Sequence, residues 1–107
     1  MKELVILSAT ELSVGTDQQF DLAIPDFARY RRVDYYVLRT AGSGTLANIS
    51  FQPLSADGTA MYGTTSFQSQ STSQGRHWDA PQAPIMRIEL DVATAAATVK
   101  IVAIGID

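Results

Sequence analysis

The sequence predicts an all-β fold, a single antiparallel β-sandwich of jelly-roll type with about eight strands. Short runs of β-branched and aromatic residues recur between turn signals, and no window of helical length carries an apolar stripe of 3.6-residue period. With 107 residues, the chain is long enough for one hydrophobic core and too short for two ordinary domains. Residues 1–107 are therefore predicted to form one domain.

The first strands are predicted from two apolar patterns. "LVIL" at 4–7 is a short apolar run, and "FDLAI" at 20–24 places its apolar side chains on one face. "IPDFARY" at 24–30 is predicted to be a corner with one helical turn, because Pro25 cannot continue a central strand.

The middle of the chain reads as two further strands with turns. "RVDYYVLRT" at 32–40 is a long strand, and "AGSGT" at 41–45 is predicted to be a hairpin turn to a strand with Ile49 and Phe51 inward. "ADGT" at 56–59 contains the Asp-Gly pair that adopts positive φ easily in a tight turn.

The last two strands differ in their patterns. "IMRIELDV" at 85–92 alternates, so its apolar even-numbered residues are predicted to face the core. "VKIVAIGI" at 99–106, like "LVIL", is apolar on both faces, and a two-layer sandwich covers only one face of each strand. Either a loop of the same chain or another subunit covers the outer face, and we favour the subunit. Which parity of the last strand faces inward stays open, so Ile101 and Ile104 are the two residues to compare.

Charge and composition exclude several function classes. The net charge is −3 and only 18% of residues are charged, which disfavours nucleic acid and anionic membranes as partners. The weakly polar stretch 93–106 is shorter than the roughly 20 residues of a spanning helix, so no membrane partner is predicted. Cysteine is absent, so neither a disulfide nor a thiolate metal site is possible.

The sequence predicts no enzyme. His77 and Asp79 share a strand face and resemble a base with its orienting carboxylate, but no nucleophile elbow accompanies them. Glu89 and Asp91 also share a face, on the wet side of an alternating strand. Asp57 is the only charged residue between Thr40 and Arg76, and one carboxylate is too few for a calcium-binding loop. With one His and no Cys, the sequence lacks the ligands of a zinc site. No catalytic residue, metal or cofactor is predicted.

Two residue groups are candidates for binding. "RYRR" at 29–32 clusters three guanidinium groups that suit carboxylates on a partner protein, or equally form local ion pairs with Asp26 and Asp34. Trp78, with Tyr62 and His77, would suit a sugar ring, although a lone Trp in a small β-domain is more often part of the core. The alternative function is accordingly a carbohydrate-binding or receptor-binding module of a tail fibre or bacterial surface protein.

The order of segments resembles a family of small tailed-phage proteins associated with the head, the capsid decoration or cement proteins. In that family, a strand beginning near "YRRV" (30–33) leads through an "SGT" turn (43–45) to a strand ending in a hairpin, here "SADG" (55–58). A polar segment containing Phe follows, here "TTSFQSQSTSQG" (64–75), and two alternating strands close the chain.

The resemblance implies a virion structural protein, made in the host cytoplasm, that binds the major capsid protein on the outer surface of the head and stabilises the shell. It also implies a homo-oligomer, with a trimer favoured because local three-fold points are common docking sites. The polar segment would be anchored by one aromatic side chain and hydrogen-bond to a neighbouring subunit, since an interface tolerates few charges at its centre. The predicted partner contacts are Arg29, Tyr30, Arg31, Arg32, Phe67, Ile104 and Ile106.

Overall fold

The computed structural model describes residues 2–60 and 83–107 in full, and the backbone of residues 65–66 and 78–80. This part of the chain is all-β, as predicted, with one short 3₁₀ turn, η1, at Phe27–Arg29. The strands are β1 Lys2–Leu12, β2 Gly15–Ala23, β3 Arg32–Gly42, β4 Thr45–Leu54, β5 Thr65–Ser66, β6 Trp78–Ala80, β7 Ile85–Ala93 and β8 Ala97–Ile106.

The strands form two antiparallel sheets, each named here for a strand at its centre. The β8 sheet has the order β1-β8-β3-β6, and the β7 sheet has the order β2-β7-β4-β5. Each sheet has three long strands, so the long strands number six, fewer than the about eight that the sequence predicts. The two remaining strands, β5 and β6, contribute only two and three residues.

Successive strands mostly lie in different sheets, which corrects the predicted hairpin at 41–45. β3 belongs to the β8 sheet and β4 to the β7 sheet, so this turn crosses the sandwich. The turn packs tightly: Gly42 has φ 82°, and a Cβ added to Gly44 would lie 2.1 Å from the carbonyl oxygen of Ala95. Only glycine at these two positions allows the corner to approach the β7–β8 connection.

The other predicted turns agree with the structure. At the 56–59 turn, the Ser55 amide donates to the Thr59 carbonyl over 2.8 Å, and Gly58 has φ 88°. At the predicted corner, η1 begins after Asp26, whose backbone is left-handed at φ 53°.

The core fills the space between the two sheets. The alternation of β7 is confirmed, since its even-numbered residues are buried and its odd-numbered residues up to Asp91 are half-buried. The inward parity of β8 is odd, with Ile101 fully buried and Ile104 half-buried on the other face. The fully or almost fully buried residues of the core include Val33, Tyr35, Val37, Leu46, Ile49, Phe51, Met86, Ile88, Leu90, Val92, Val99, Ile101 and Ala103.

Candidate functional site

The outer face of the β8 sheet carries an apolar row across three strands. Val5 of β1 pairs with Val102 of β8, and Val102 pairs on its other side with Tyr36 of β3. Residues directly opposite each other in neighbouring strands present their side chains on the same face. This row therefore crosses the sheet at right angles to the strands.

The two neighbouring rows on this face add apolar groups and charges. One row is Glu3, Ile104 and Asp34, and the row on the other side of Val102 contains Lys100 and Leu38. The negative charge of Glu3 thus lies on one side of the apolar row, where Asp34 is ion-paired with Arg32, and Lys100 lies on the other side. We call this surface the apolar face and define it by Val5, Tyr36, Leu38, Val102 and Ile104.

A shallow groove of about 220 Å³ runs along the apolar face, with Glu3 and Lys100 in its lining. Val102 is only 5% exposed, yet it is not part of the core cluster. It lines the groove together with Tyr36, Leu38 and Ile104. The face is thus a packed apolar surface that lies outside the sandwich core.

The outer face of strand β1 is less apolar than its sequence predicts. Its pairing with β8 shifts register between Val5 and Leu7, and both Ile6 and Leu7 pack against the core. Val5 alone of the "LVIL" run is strongly exposed, at 51%. A bulge places two consecutive side chains on similar sides of the strand, which strict alternation does not anticipate.

The outer face of the β7 sheet is polar by contrast. Arg87 donates to both carboxylate oxygens of Asp21, over 2.8 Å and 3.0 Å. Asp91 accepts a hydrogen bond from the side chain of Asn48. These pairs lower the pKa of both carboxyl groups below the usual value, chiefly through the hydrogen bonds from Arg87 and from Asn48. The polar pairing leaves the β8 sheet as the face suited to apolar contact.

The structure separates the four residues of the predicted arginine cluster. Arg29 and Arg31 are exposed, and Arg31 Nε donates to the carbonyl oxygen of Asp107 over 3.2 Å. Tyr30 is 3% exposed and packs on Gly105, where a Cβ would lie 2.5 Å from its ring. It therefore serves the core, and a surface contact through Tyr30 is not available.

Arg32 is half-buried and paired within the chain. Its Nε lies 3.1 Å from Asp34 Oδ1, and its Nη2 donates to Oδ2 over 3.3 Å. The Nε contact is ionic in character, because Nε and Oδ1 do not meet as a directed hydrogen bond. The alternative of a local ion pair with Asp34 is thus what the structure has at Arg32. Of the three arginines in the predicted cluster, Arg29 and Arg31 offer exposed guanidinium groups.

The other predicted contacts have mixed outcomes. Ile104 lies on the apolar face, and Ile106 pairs with Arg32 at its end. Phe67, Tyr62 and His77 lie outside the described residues. For Trp78, which lies in β6, the structure describes only the backbone, and this backbone pairs with Tyr35 of β3.

Across residues 2–60 and 83–107, no three His, Cys, Asp or Glu side chains are grouped so that they could hold a metal ion. No described helix has the length and apolar character needed to cross a bilayer.

Comparison with known proteins identifies no family for this chain. No family model and no curated protein matches the sequence. Among solved structures, the chain is similar to a family two carbohydrate esterase from Cellvibrio japonicus, with a TM-score of 0.38 and 11% identity. The match covers 99% of this chain but 33% of the esterase, so the chain spans about a third of that protein's length.

The sequence pointed to β8 but missed most of the apolar face. These side chains come together only through strand register, which pairs residues about 60 to 100 positions apart in the chain. They are Glu3, Val5, Tyr36, Leu38 and Lys100. The available signal was that β1 and β8 lack alternation. It did not identify their neighbour β3, whose outward side chains complete the face.

Proposed function

We infer that this protein is a virion structural protein, a capsid decoration or cement protein that binds the outer surface of a phage head as a homo-oligomer. The observation that carries this proposal is the apolar face. Exposed apolar surface of this kind is typical of protein–protein contact, and the polar β7 sheet shows that the chain does not leave both outer faces apolar. The family resemblance supports the head as the location and favours a trimer.

The finer fold assignment is a jelly roll. The strand orders β1-β8-β3-β6 and β2-β7-β4-β5 support it, because successive strands pass back and forth between the sheets. That path is expected of two interleaved Greek keys, as in the jelly rolls of many viral capsid domains. Such a sandwich supplies two flat outer faces, which suits a protein that joins neighbours on a shell.

The proposal divides the contacts between two surfaces. The apolar face joins copies of the chain, whereas the exposed guanidinium groups of Arg29 and Arg31 contact carboxylates of the major capsid protein. The chain is made in the host cytoplasm and ends in the virion. Its role is to add contacts between capsid subunits, and no catalysis is required of it.

Mass spectrometry of particles purified from the virus that encodes the chain tests this location. The protein is expected at a stoichiometric level, and antibody labelling is expected on the outside of intact heads. Particles that lack the protein, or label only after disruption, would contradict the proposal.

A shell-binding assay tests the capsid contact. Arg29→Gln combined with Arg31→Gln is expected to weaken binding to heads about tenfold or more, since charge-assisted hydrogen bonds are lost. Ser13→Glu combined with Ser43→Glu changes the net charge equally at two exposed positions and is the matched control. Equal loss in both double variants would show that general charge, rather than these arginines, determines binding.

A further inference from the structure

The charges around the apolar face are self-complementary under one two-fold rotation. The face has the acidic row of Glu3, Ile104 and Asp34 on one side of the central row and Lys100 on the other. A two-fold axis lying along the central row places the acidic row of one copy over the Lys100 row of the other. Lys100 then lies over Ile104 of the second copy, next to its Glu3.

The other in-plane two-fold axis, parallel to the strands, is disfavoured by the same charges. It would place Lys100 opposite Lys100, and like charges in contact cost free energy at an interface. A three-fold axis relates two different surface patches and cannot pack the apolar face on itself. The charge pattern therefore selects a single arrangement, in which the β8 strands of the two copies run antiparallel.

The available area is sufficient for such a contact. Strands β1, β8 and β3 present a face of about 34 by 14 Å from ordinary strand spacings, on the order of 500 Å². Two copies would bury about 1,000 Å² in total, which reaches the lower bound for a specific interface. Val5, at 51% exposed, and the half-buried Tyr36, Leu38 and Ile104 would supply the apolar contact.

We propose that the apolar face binds a second copy of this chain, face to face about a two-fold axis perpendicular to the strands, with Lys100 of each copy paired to Glu3 of the other. This inference rests on the proposed function, because it names the partner at the face already assigned to oligomer formation. It replaces the trimer that the resemblance favours with a dimer.

Sedimentation equilibrium of the purified full chain tests the arrangement through a charge swap. The wild type is expected to be a dimer that dissociates on dilution, and Lys100→Glu or Glu3→Lys is expected to weaken the dimer about tenfold. The double variant, Lys100→Glu with Glu3→Lys, is expected to restore the wild-type dissociation constant. Glu89→Lys, the same charge change on the outer face of the β7 sheet, is the matched control and is expected to leave the dissociation constant unchanged.

The outcomes separate this inference from the proposed function. A monomer, a trimer, or a dimer insensitive to both single charge reversals would overturn the inference. A double variant whose dimer is as weak as the dimers of the single variants would overturn it too. A monomer found on the outside of heads would refute the dimer and leave the capsid role intact. A dimer that the double variant restores, in a protein absent from virions, would support the dimer and refute the capsid role.

Discussion

The Asn48 side-chain amide donates a 2.7 Å hydrogen bond to Oδ2 of Asp91, across the pairing of β4 with β7. The other carboxylate oxygen of Asp91 accepts from the backbone amide of Asp17, also over 2.7 Å, on the opposite side of β7. Asp17 and Asn48 both have positive φ, and each lies at a register shift of its own strand. One carboxylate therefore holds the irregular backbone of both neighbouring strands.

Asp91→Ala is expected to lower the free energy of unfolding by about 1–2 kcal/mol, because two hydrogen bonds to a charged group are lost at a largely wet surface. Urea denaturation measures the effect. Glu89→Ala, on the same face of β7, is the control and should change stability by less than about 0.5 kcal/mol. Equal effects would mean that the two register shifts hold without Asp91.

A second prediction concerns acid stability at the 56–59 turn. Hydrogen bonds from Ser55 and Thr59 lower the pKa of Asp57 to about 2, below its usual value of 3.8. A carboxyl group whose pKa is lower in the folded state stabilises the fold at any pH above its pKa in the unfolded state. This contribution disappears as the pH falls through its pKa in the folded state. Stability should therefore decline between about pH 5 and 2, and Asp57→Asn should show a smaller decline in urea melts. Identical pH profiles for the two proteins would contradict the assignment.

The two parities of β8 predict opposite outcomes for one substitution. Ile101→Lys buries an unpaired ammonium group in the core and costs several kcal/mol, comparable with the whole stability of a small domain, so it should abolish folding. Ile104→Lys changes the half-buried outer face and places a second cation opposite Lys100 of the other copy, so the protein should stay folded by circular dichroism but lose self-association. If both variants unfold, or if Ile104→Lys still self-associates, the apolar face is not an interface between copies.

Close packing at the corner between the sheets gives a fourth prediction. Gly44→Ala brings a methyl group against the Ala95 carbonyl and should cost about 1–3 kcal/mol, since the backbone must shift. Ser43→Ala, at the exposed neighbouring position, should stay within about 0.5 kcal/mol of the wild type. Thermal unfolding of both variants provides the comparison, and a tolerated Gly44→Ala would show that the corner can open freely.

Alternation predicted the strands that face water on one side. The inward side chains of β7 and of Ile49 and Phe51 follow directly from their spacing, because each side chain points away from its neighbours in an extended chain. Sheet membership did not follow. A short Gly-rich turn suits a hairpin as well as a crossing between sheets. Which of the two forms depends on the contact of Gly44 with Ala95, a residue about 50 positions later in the chain.

The same limit applies to the site. The run of β8 predicted an apolar outer face, but its parity and its neighbours depend on pairings that no local pattern encodes. The arginine cluster shows the reverse error. Four adjacent residues looked like one surface in sequence, but Tyr30 turned into the core and Arg32 paired with Asp34.

The pairing of β1 with β8 also constrains how the chain folds. Lys2 lies opposite Gly105, so the central strand of one sheet obtains its outer neighbour from the far end of the sequence. Closing so long a loop costs entropy before the pairing gives any stabilisation, and folds dominated by such pairings form in milliseconds to seconds. Until then the apolar side chains of β1 have no partner strand. An emerging chain would therefore expose an aggregation-prone segment until residues 97–106 leave the ribosome, and demand for chaperones should be highest before that point.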